Sequence, residues 1–252
     1  MDIQANLIPD YSKIGHHLAG KTILITGATS GIGKAVAMAC AQHQAQVILL
    51  GRNIRKLEAV ADEFEQVSQK SCLLYPLNLV AANDEHYQQL AEDLSQRFDQ
   101  LHGLVHNAAT LGNLTPIKQY SPQQWYKVMQ TNVNSAFMLT QACLPLLEKA
   151  DSASIVWTSS GVATQPKAYW GAYAVSKSAN ESMMKIIAAE YEGSSIRSNA
   201  ILPGVVATGM RSKAFPAEDP NQLKQPKDIV NAWLYLLSND SQAINGLKVF
   251  AQ

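Results

Sequence analysis

The 252-residue sequence predicts a single α/β domain: a doubly wound, parallel sheet of about seven strands with helices on both faces. Three observations carry this. Seven short apolar runs rich in Val, Ile and Leu are bounded by turn residues, most are separated by longer stretches of helical periodicity, and no Pro/Gly/Ser-rich linker divides the chain. Strands that are apolar throughout, rather than alternating, are buried on both faces, which is the condition inside a parallel sheet.

In chain order the strand runs are KTILITG (21–27), AQVILLGR (45–52), SCLLYPL (71–77), HGLVHNA (102–108), ASIVWTSS (153–160), SIRSNAILPG (195–204) and LKVFA (247–251). Helical patterns cover 31–42, 54–69, 85–99, 122–149, 171–191 and 226–238. Pro122 and Pro226 suit the first turn of a helix, where the missing N–H has no intrahelical acceptor to lose. The segment 205–226 is the longest predicted connection, and connections of that length are often lids or binding loops. Residues 1–20 read as a polar leader in front of the domain at 21–252.

Composition excludes several classes of partner. Lys+Arg and Asp+Glu both number 20 and no basic run occurs, so neither nucleic acid nor an anionic membrane surface is expected. The leader has neither a basic n-region nor a continuous apolar core, and no apolar run approaches membrane-spanning length. Cys40, Cys72 and Cys143 are odd in number, distant and set among apolar residues, which fits reduced thiols in the cytoplasm better than disulfides or a metal site. His16 and His17 read as a solvated pair in the leader, so no metal is expected.

After the first strand comes TGATSGIG, with Gly27, Gly31 and Gly33 leading into a helix. Glycines there permit positive φ and close backbone approach, and the N–H groups and positive end of a helix attract a pyrophosphate. A strand before the turn and a helix after it favour a dinucleotide ligand. About 20 residues on, where an acid would accept from the ribose 2′-hydroxyl of NAD, the chain has Gly51 followed by Arg52. The guanidinium fork suits a 2′-phosphate, which favours NADP(H), although a solvated strand-end charge would look the same.

Tyr173 and Lys177 stand one helical turn apart in GAYAVSKSAN. On one helix face, an ammonium beside a phenol oxygen would lower the tyrosine pKa and make proton exchange feasible near neutrality. A helix that buries its tyrosine and sends its lysine to water gives the same spacing.

Taken jointly and in order, six segments decide between these readings: TGATSGIG, HNAA (106–109), TNVNSAF (131–137), TSSG (158–161), YAVSK (173–177) and NAILPGVVATGM (199–210). They resemble the motifs of the short-chain dehydrogenases/reductases, and the resemblance covers nearly all of the chain from Thr22 to Gly246. It departs from the family at His106 and Ala109, which leave Asn107 and Ala108 in place, and at Asn78, where the family usually has an adenine-binding aspartate.

The resemblance implies a Rossmann-type fold and an NADP(H)-dependent oxidoreductase acting on a carbonyl or alcohol. It assigns catalysis to Asn132, Ser160, Tyr173 and Lys177, with Ser160 chosen over Ser159 by its thirteen-residue offset from the tyrosine. Cofactor contacts fall on the turn (Gly27, Thr29, Ser30, Gly31, Ile32, Gly33), on Arg52, Asn78, Leu79, Asn107 and Ala108, on Pro203, Gly204, Val206 and Thr208, and again on Tyr173 and Lys177. In this reading Lys177 lowers the Tyr173 pKa and hydrogen-bonds the nicotinamide ribose, and Asn132 holds a water. Family members commonly form homodimers or homotetramers. Val162, Tyr169, Trp170, Met210, Ala214 and Phe215 suggest an apolar substrate pocket. A 3-oxoacyl thioester reductase and a non-catalytic NADP-binding redox sensor are the competing functions; the second commonly loses the tyrosine or lysine that this chain keeps.

Overall fold

Seven strands form one parallel sheet in the order β3-β2-β1-β4-β5-β6-β7: β1 (Thr22–Thr26), β2 (Gln46–Gly51), β3 (Leu73–Pro76), β4 (Gly103–His106), β5 (Ala153–Thr158), β6 (Ile196–Leu202) and β7 (Lys248–Phe250). The computed structural model describes residues 2–11, 13, 15–68 and 70–252. Each of the seven runs read from the sequence holds one strand. Successive side chains alternate between faces. Ile23, Ile25, Val47, Leu49, Val105 and Val156 therefore pack on one side, and Leu24, Ile48, Leu50, Leu104, Ile155 and Trp157 on the other.

Helices cover both faces. The first layer holds α1 (Gly31–Gln42), α2 (Ile54–Val67) and α9 (Asn231–Leu237); the second holds α3 (Asp84–Ser95), α5 (Ser135–Leu147) and α7 (Gly171–Glu190). Three further helices are α4 (Pro122–Met129), α6 (Gly161–Thr164) and α8 (Gly209–Ala214). The last two had no periodic signal, since a helix of one or two turns is too short to show one. The span 122–149, expected as one helix, runs as α4 and α5 joined by a π-helical turn at Gln130–Asn134. The span 226–238 begins as a 3₁₀ turn at Pro226–Ile229 before α9.

The leader is tied into this body. Ile3 pairs beside Val249, its N–H donating to the Lys248 carbonyl at 2.8 Å and its carbonyl accepting from Phe250 at 2.9 Å. Tyr11 and Leu18 are buried, while His16 and His17 are exposed. The polar composition hid these few anchoring side chains. The three cysteines are free, Cys40 and Cys143 being buried. No helix among the described residues is long and apolar enough to cross a membrane.

Strand order reverses between β1 and β4, one connection leading to β2 and β3 and the other to β5, β6 and β7. At such a reversal the loops leaving the carboxyl ends part company and open a crevice. The predicted site residues lie on the loops and helices at that edge.

Candidate active site

The turn after β1 is held open by its glycines. Gly27 (φ 67°) and Gly31 (φ 54°) have backbone conformations that side chains disfavour. A Cβ on Gly33 would collide with the Gly27 carbonyl and the Asn107 amide. Ser30 is the N-cap of α1 but makes no side-chain capping bond, and the first N–H groups of a helix have no intrahelical acceptor. Thr29 and Ile32 flank these residues in the same turn. The result is a cradle of unshared donors at the positive end of a twelve-residue helix, which fits the pyrophosphate of a dinucleotide.

Gly51 ends β2 against this cradle; a Cβ there would stand 3.0 Å from Thr29 Cγ2. Arg52 follows, exposed at the rim. Asn78 and Leu79 leave β3 at the same edge, where Leu77 donates to the Gly51 carbonyl at 2.9 Å. Leu79 is buried; Asn78 is exposed, and its Oδ1 accepts from the Val80 N–H at 3.2 Å.

Asn107 and Ala108 close the gap between β1 and β4. Both N–H groups donate to Thr26 Oγ1 at 3.0 Å, Thr26 Oγ1 donates to the Val105 carbonyl, and Asn107 Nδ2 donates to the Thr26 carbonyl at 3.1 Å. Asn107 thus fixes the cradle's position, and Thr26 is a site residue that sequence reasoning missed. The departure at His106 is accommodated in the core, where the ring stacks on Trp157 at 4.2 Å and bonds Thr140 Oγ1 at 2.8 Å. Burial and the nearby Lys177 push the His106 pKa down to about 3, so the ring is neutral.

The loop after β6 supplies the remaining predicted contacts. Gly204 (φ 75°) has no room for a Cβ against Gln252, whose amide donates to the Pro203 carbonyl at 2.6 Å and to the Val205 carbonyl at 3.0 Å. Val206 bridges to Lys224. Thr208 caps α8 by accepting from Arg211 N–H, and its methyl would stand 3.5 Å from a Cβ on Gly31. The second loop therefore touches the first.

Tyr173 and Lys177 lie on the buried face of α7. Ser160, two residues past the end of β5, lies beside the Tyr173 phenol and pulls its pKa down. Lys177 Nζ donates to the Thr158 carbonyl at 2.6 Å and stands 5.7 Å from the centre of the Tyr173 ring. Burial pushes the Tyr173 pKa up to about 12, and it pushes Lys177 down to about 8. The aligned pair forms, but the expected lowering of the phenol pKa by Lys177 is not met: burial raises it, and the opposing pull comes from Ser160.

Asn132 sits in the π-helical turn, a distortion frequent at functional sites. Its Oδ1 accepts from Thr110 N–H at 2.8 Å, and its Nδ2 donates to the Thr110 carbonyl at 3.0 Å and to Ser176 Oγ at 2.9 Å. Ser176 in turn donates to the Tyr173 carbonyl at 2.8 Å. Asn132 thereby locks the loop after β4 to the helix carrying Tyr173, and nothing in the local sequence marks Ser176 for this part. Around the phenol, Leu111, Val162 and Ala174 pack with Trp170, Met210 and Ala214. The Phe215 ring lies 6.0 Å from Trp170, whereas Tyr169 is exposed.

Comparison with known proteins agrees with this geometry. The short chain dehydrogenase family model matches residues 21–219. The uncharacterized oxidoreductase YciK of Escherichia coli K12 is 46% identical over 235 residues, spanning 93% of each chain. A Shigella flexneri 2a short chain dehydrogenase complexed with NADP superposes with a TM-score of 0.92 at 46% identity, covering 94% of this chain and 99% of that one. One from Escherichia coli CFT073 complexed with NADPH gives 0.92 and 46%, covering 94% and 98%. With its seven-stranded sheet, its glycine cradle at the reversal and a family match over most of its length, this chain is a member of the short chain dehydrogenase family and an oxidoreductase.

Proposed function

We propose that the chain is an NADP(H)-dependent carbonyl reductase or alcohol dehydrogenase in which Tyr173 exchanges the proton. The observation carrying this reading is the convergence of Ser160, Tyr173 and Lys177 at the carboxyl edge that also bears the glycine cradle. When bound there, NADPH would supply the hydride. Ser160 orients the carbonyl oxygen, and Tyr173 donates its proton to that oxygen as the carbon is reduced. With a pKa near 12 the phenol is protonated throughout the neutral range, which suits carbonyl reduction; alcohol oxidation needs the phenolate and gains as pH rises.

Lys177, close to its pKa at neutral pH, can return a proton to the tyrosine and bond the nicotinamide ribose. Asn132 has both amide hydrogens committed, so its side chain can hold a relay water only through oxygen. The glycine turn would cradle the pyrophosphate and Arg52 would meet the 2′-phosphate, in keeping with the NADP and NADPH bound to two relatives. Asn78, Leu79, Asn107 and Ala108, together with Pro203, Gly204, Val206 and Thr208, would hold the rest of the nucleotide. The apolar wall around Tyr173 favours a hydrophobic carbonyl substrate.

The test is oxidation of NADPH, against NADH, with a panel of aliphatic and aromatic ketones, aldehydes and 3-oxoacyl thioesters. NADPH should be the better donor. Arg52→Ala should weaken NADPH binding by about tenfold or more and leave NADH binding unchanged. Equal or tighter NADH binding by the wild type would overturn the NADP assignment, and no turnover on any carbonyl would favour the sensor.

Homo-oligomerisation belongs to the same proposal. Val175 and Ile186, eleven residues apart on one face of α7, are 45% and 56% exposed, and Phe137 on α5 is 51% exposed. Light scattering at micromolar concentration should report a dimer or tetramer; a monomer would remove the idea.

A further inference from the structure

Tyr173, Lys177 and Glu181 succeed one another at four-residue intervals and share a face of α7. The hydride-transfer reading uses the first two and leaves the third unexplained. Glu181 is 9% exposed and both its oxygens are engaged: Oε1 accepts from Ser159 Oγ at 2.6 Å, and Oε2 faces Lys248 Nζ of β7 at 3.5 Å. Lys248 also donates to Thr164 Oγ1 at 3.0 Å, on the last residue of α6. Burying such a pair carries a desolvation cost that the mutual attraction often only balances, and apolar residues of similar volume would hold the helix to the sheet as well. What they could not do is grip the Ser159 hydroxyl.

Ser159 and Ser160 are consecutive, and Ser160 is extended (φ −156°, ψ 151°), so neighbouring side chains there leave the chain on opposite sides. One serine lies beside the Tyr173 phenol and the other bonds Glu181. Ser160 is also the N-cap of α6 but makes no side-chain capping bond, so its own helix does not hold its hydroxyl. The Glu181–Lys248 pair instead grips the residue before Ser160 and the last residue of the helix after it.

We propose that Glu181, held by Lys248, is a positioning residue for Ser160, fixing the serine hydroxyl between the Tyr173 phenol and the substrate oxygen by anchoring Ser159 on one side and Thr164 on the other. The inference rests on the hydride-transfer reading above. Its action is mechanical: Lys177 is held by the Thr158 carbonyl, and burial alone accounts for its lowered pKa.

The experiment is a kinetic cycle on the full chain with NADPH and the panel carbonyl reduced fastest. Ser159→Ala, which removes one hydroxyl and spares the fold, should lower kcat about tenfold without changing the KM for NADPH. In a Ser160→Ala background the same change should cost nothing further, because the residue it positions is gone. Glu181→Gln, which keeps an oxygen to accept from Ser159, should retain more of kcat than Glu181→Ala. A merely structural bond would lower thermal stability and kcat equally in both backgrounds. Wild-type kcat in Ser159→Ala, or equal losses in both backgrounds, would overturn the inference while leaving hydride transfer standing. A wild type inactive across the whole panel would overturn the hydride-transfer reading, and this inference with it.

Discussion

Tyr173→Phe is expected to lower kcat for carbonyl reduction by about 10²-fold or more while NADPH affinity stays unchanged. The ring is buried among Leu111, Val162 and Ala174, with Trp170 5.9 Å away, and phenylalanine keeps that packing. What is lost is the phenolic hydroxyl with its proton, a stability change of about 1 kcal/mol that leaves the protein folded. Lys177→Ala should behave differently. It strands the Thr158 carbonyl, which Lys177 holds at 2.6 Å, and removes the proposed ribose contact, so NADPH affinity, rate and melting temperature should fall together. NADPH binding followed by fluorescence, beside NADPH consumption, separates the two patterns. Near-normal turnover in the phenylalanine variant would show that Tyr173 only packs.

Gly33→Ala tests the other half of the site, and it should disable nucleotide binding. The added methyl would meet the Gly27 carbonyl and the Asn107 amide, and neither can step aside cheaply: Gly27 N–H is bonded to the Leu50 carbonyl at 3.0 Å, and Asn107 is bonded to Thr26. Relief must come from moving α1 away from the turn. Such overpacking costs about 1–3 kcal/mol of stability. It should also weaken NADPH binding by about tenfold or more, because the helix N-terminus no longer points into the cradle. Thermal melting with and without NADPH reads both effects. A variant that melts lower yet is stabilised by NADPH as much as the wild type would place the nucleotide elsewhere.

Much of this architecture was legible in the residue order because the signals are local. Runs such as ILIT and VILLG must be buried on both faces, and helix-forming stretches between them dictate crossovers in a parallel sheet. The glycine turn and the Tyr173–Lys177 spacing were equally plain, since each chemistry needs its groups within one turn of chain.

What the sequence by itself determined is therefore the alternation of strands and helices, the cradle, and the helix face shared by Tyr173 and Lys177. The tertiary structure decided everything that depends on surroundings. Burial sets the Tyr173 phenol near pKa 12, against the expected pull of Lys177, because desolvation is imposed by residues far away in the chain. Contacts across 22 and 44 residues make Asn132, within its π-helical turn, a lock on Thr110 and on Ser176. Contacts across 22 and 67 residues divide Ser159 from Ser160, one held by Glu181 and Lys248, the other left for Tyr173. Even the polar leader joins the sheet, because Ile3 finds β7 more than 240 residues along the chain. Periodicity is a property of neighbours in sequence, whereas burial and hydrogen-bond partners are properties of neighbours in space.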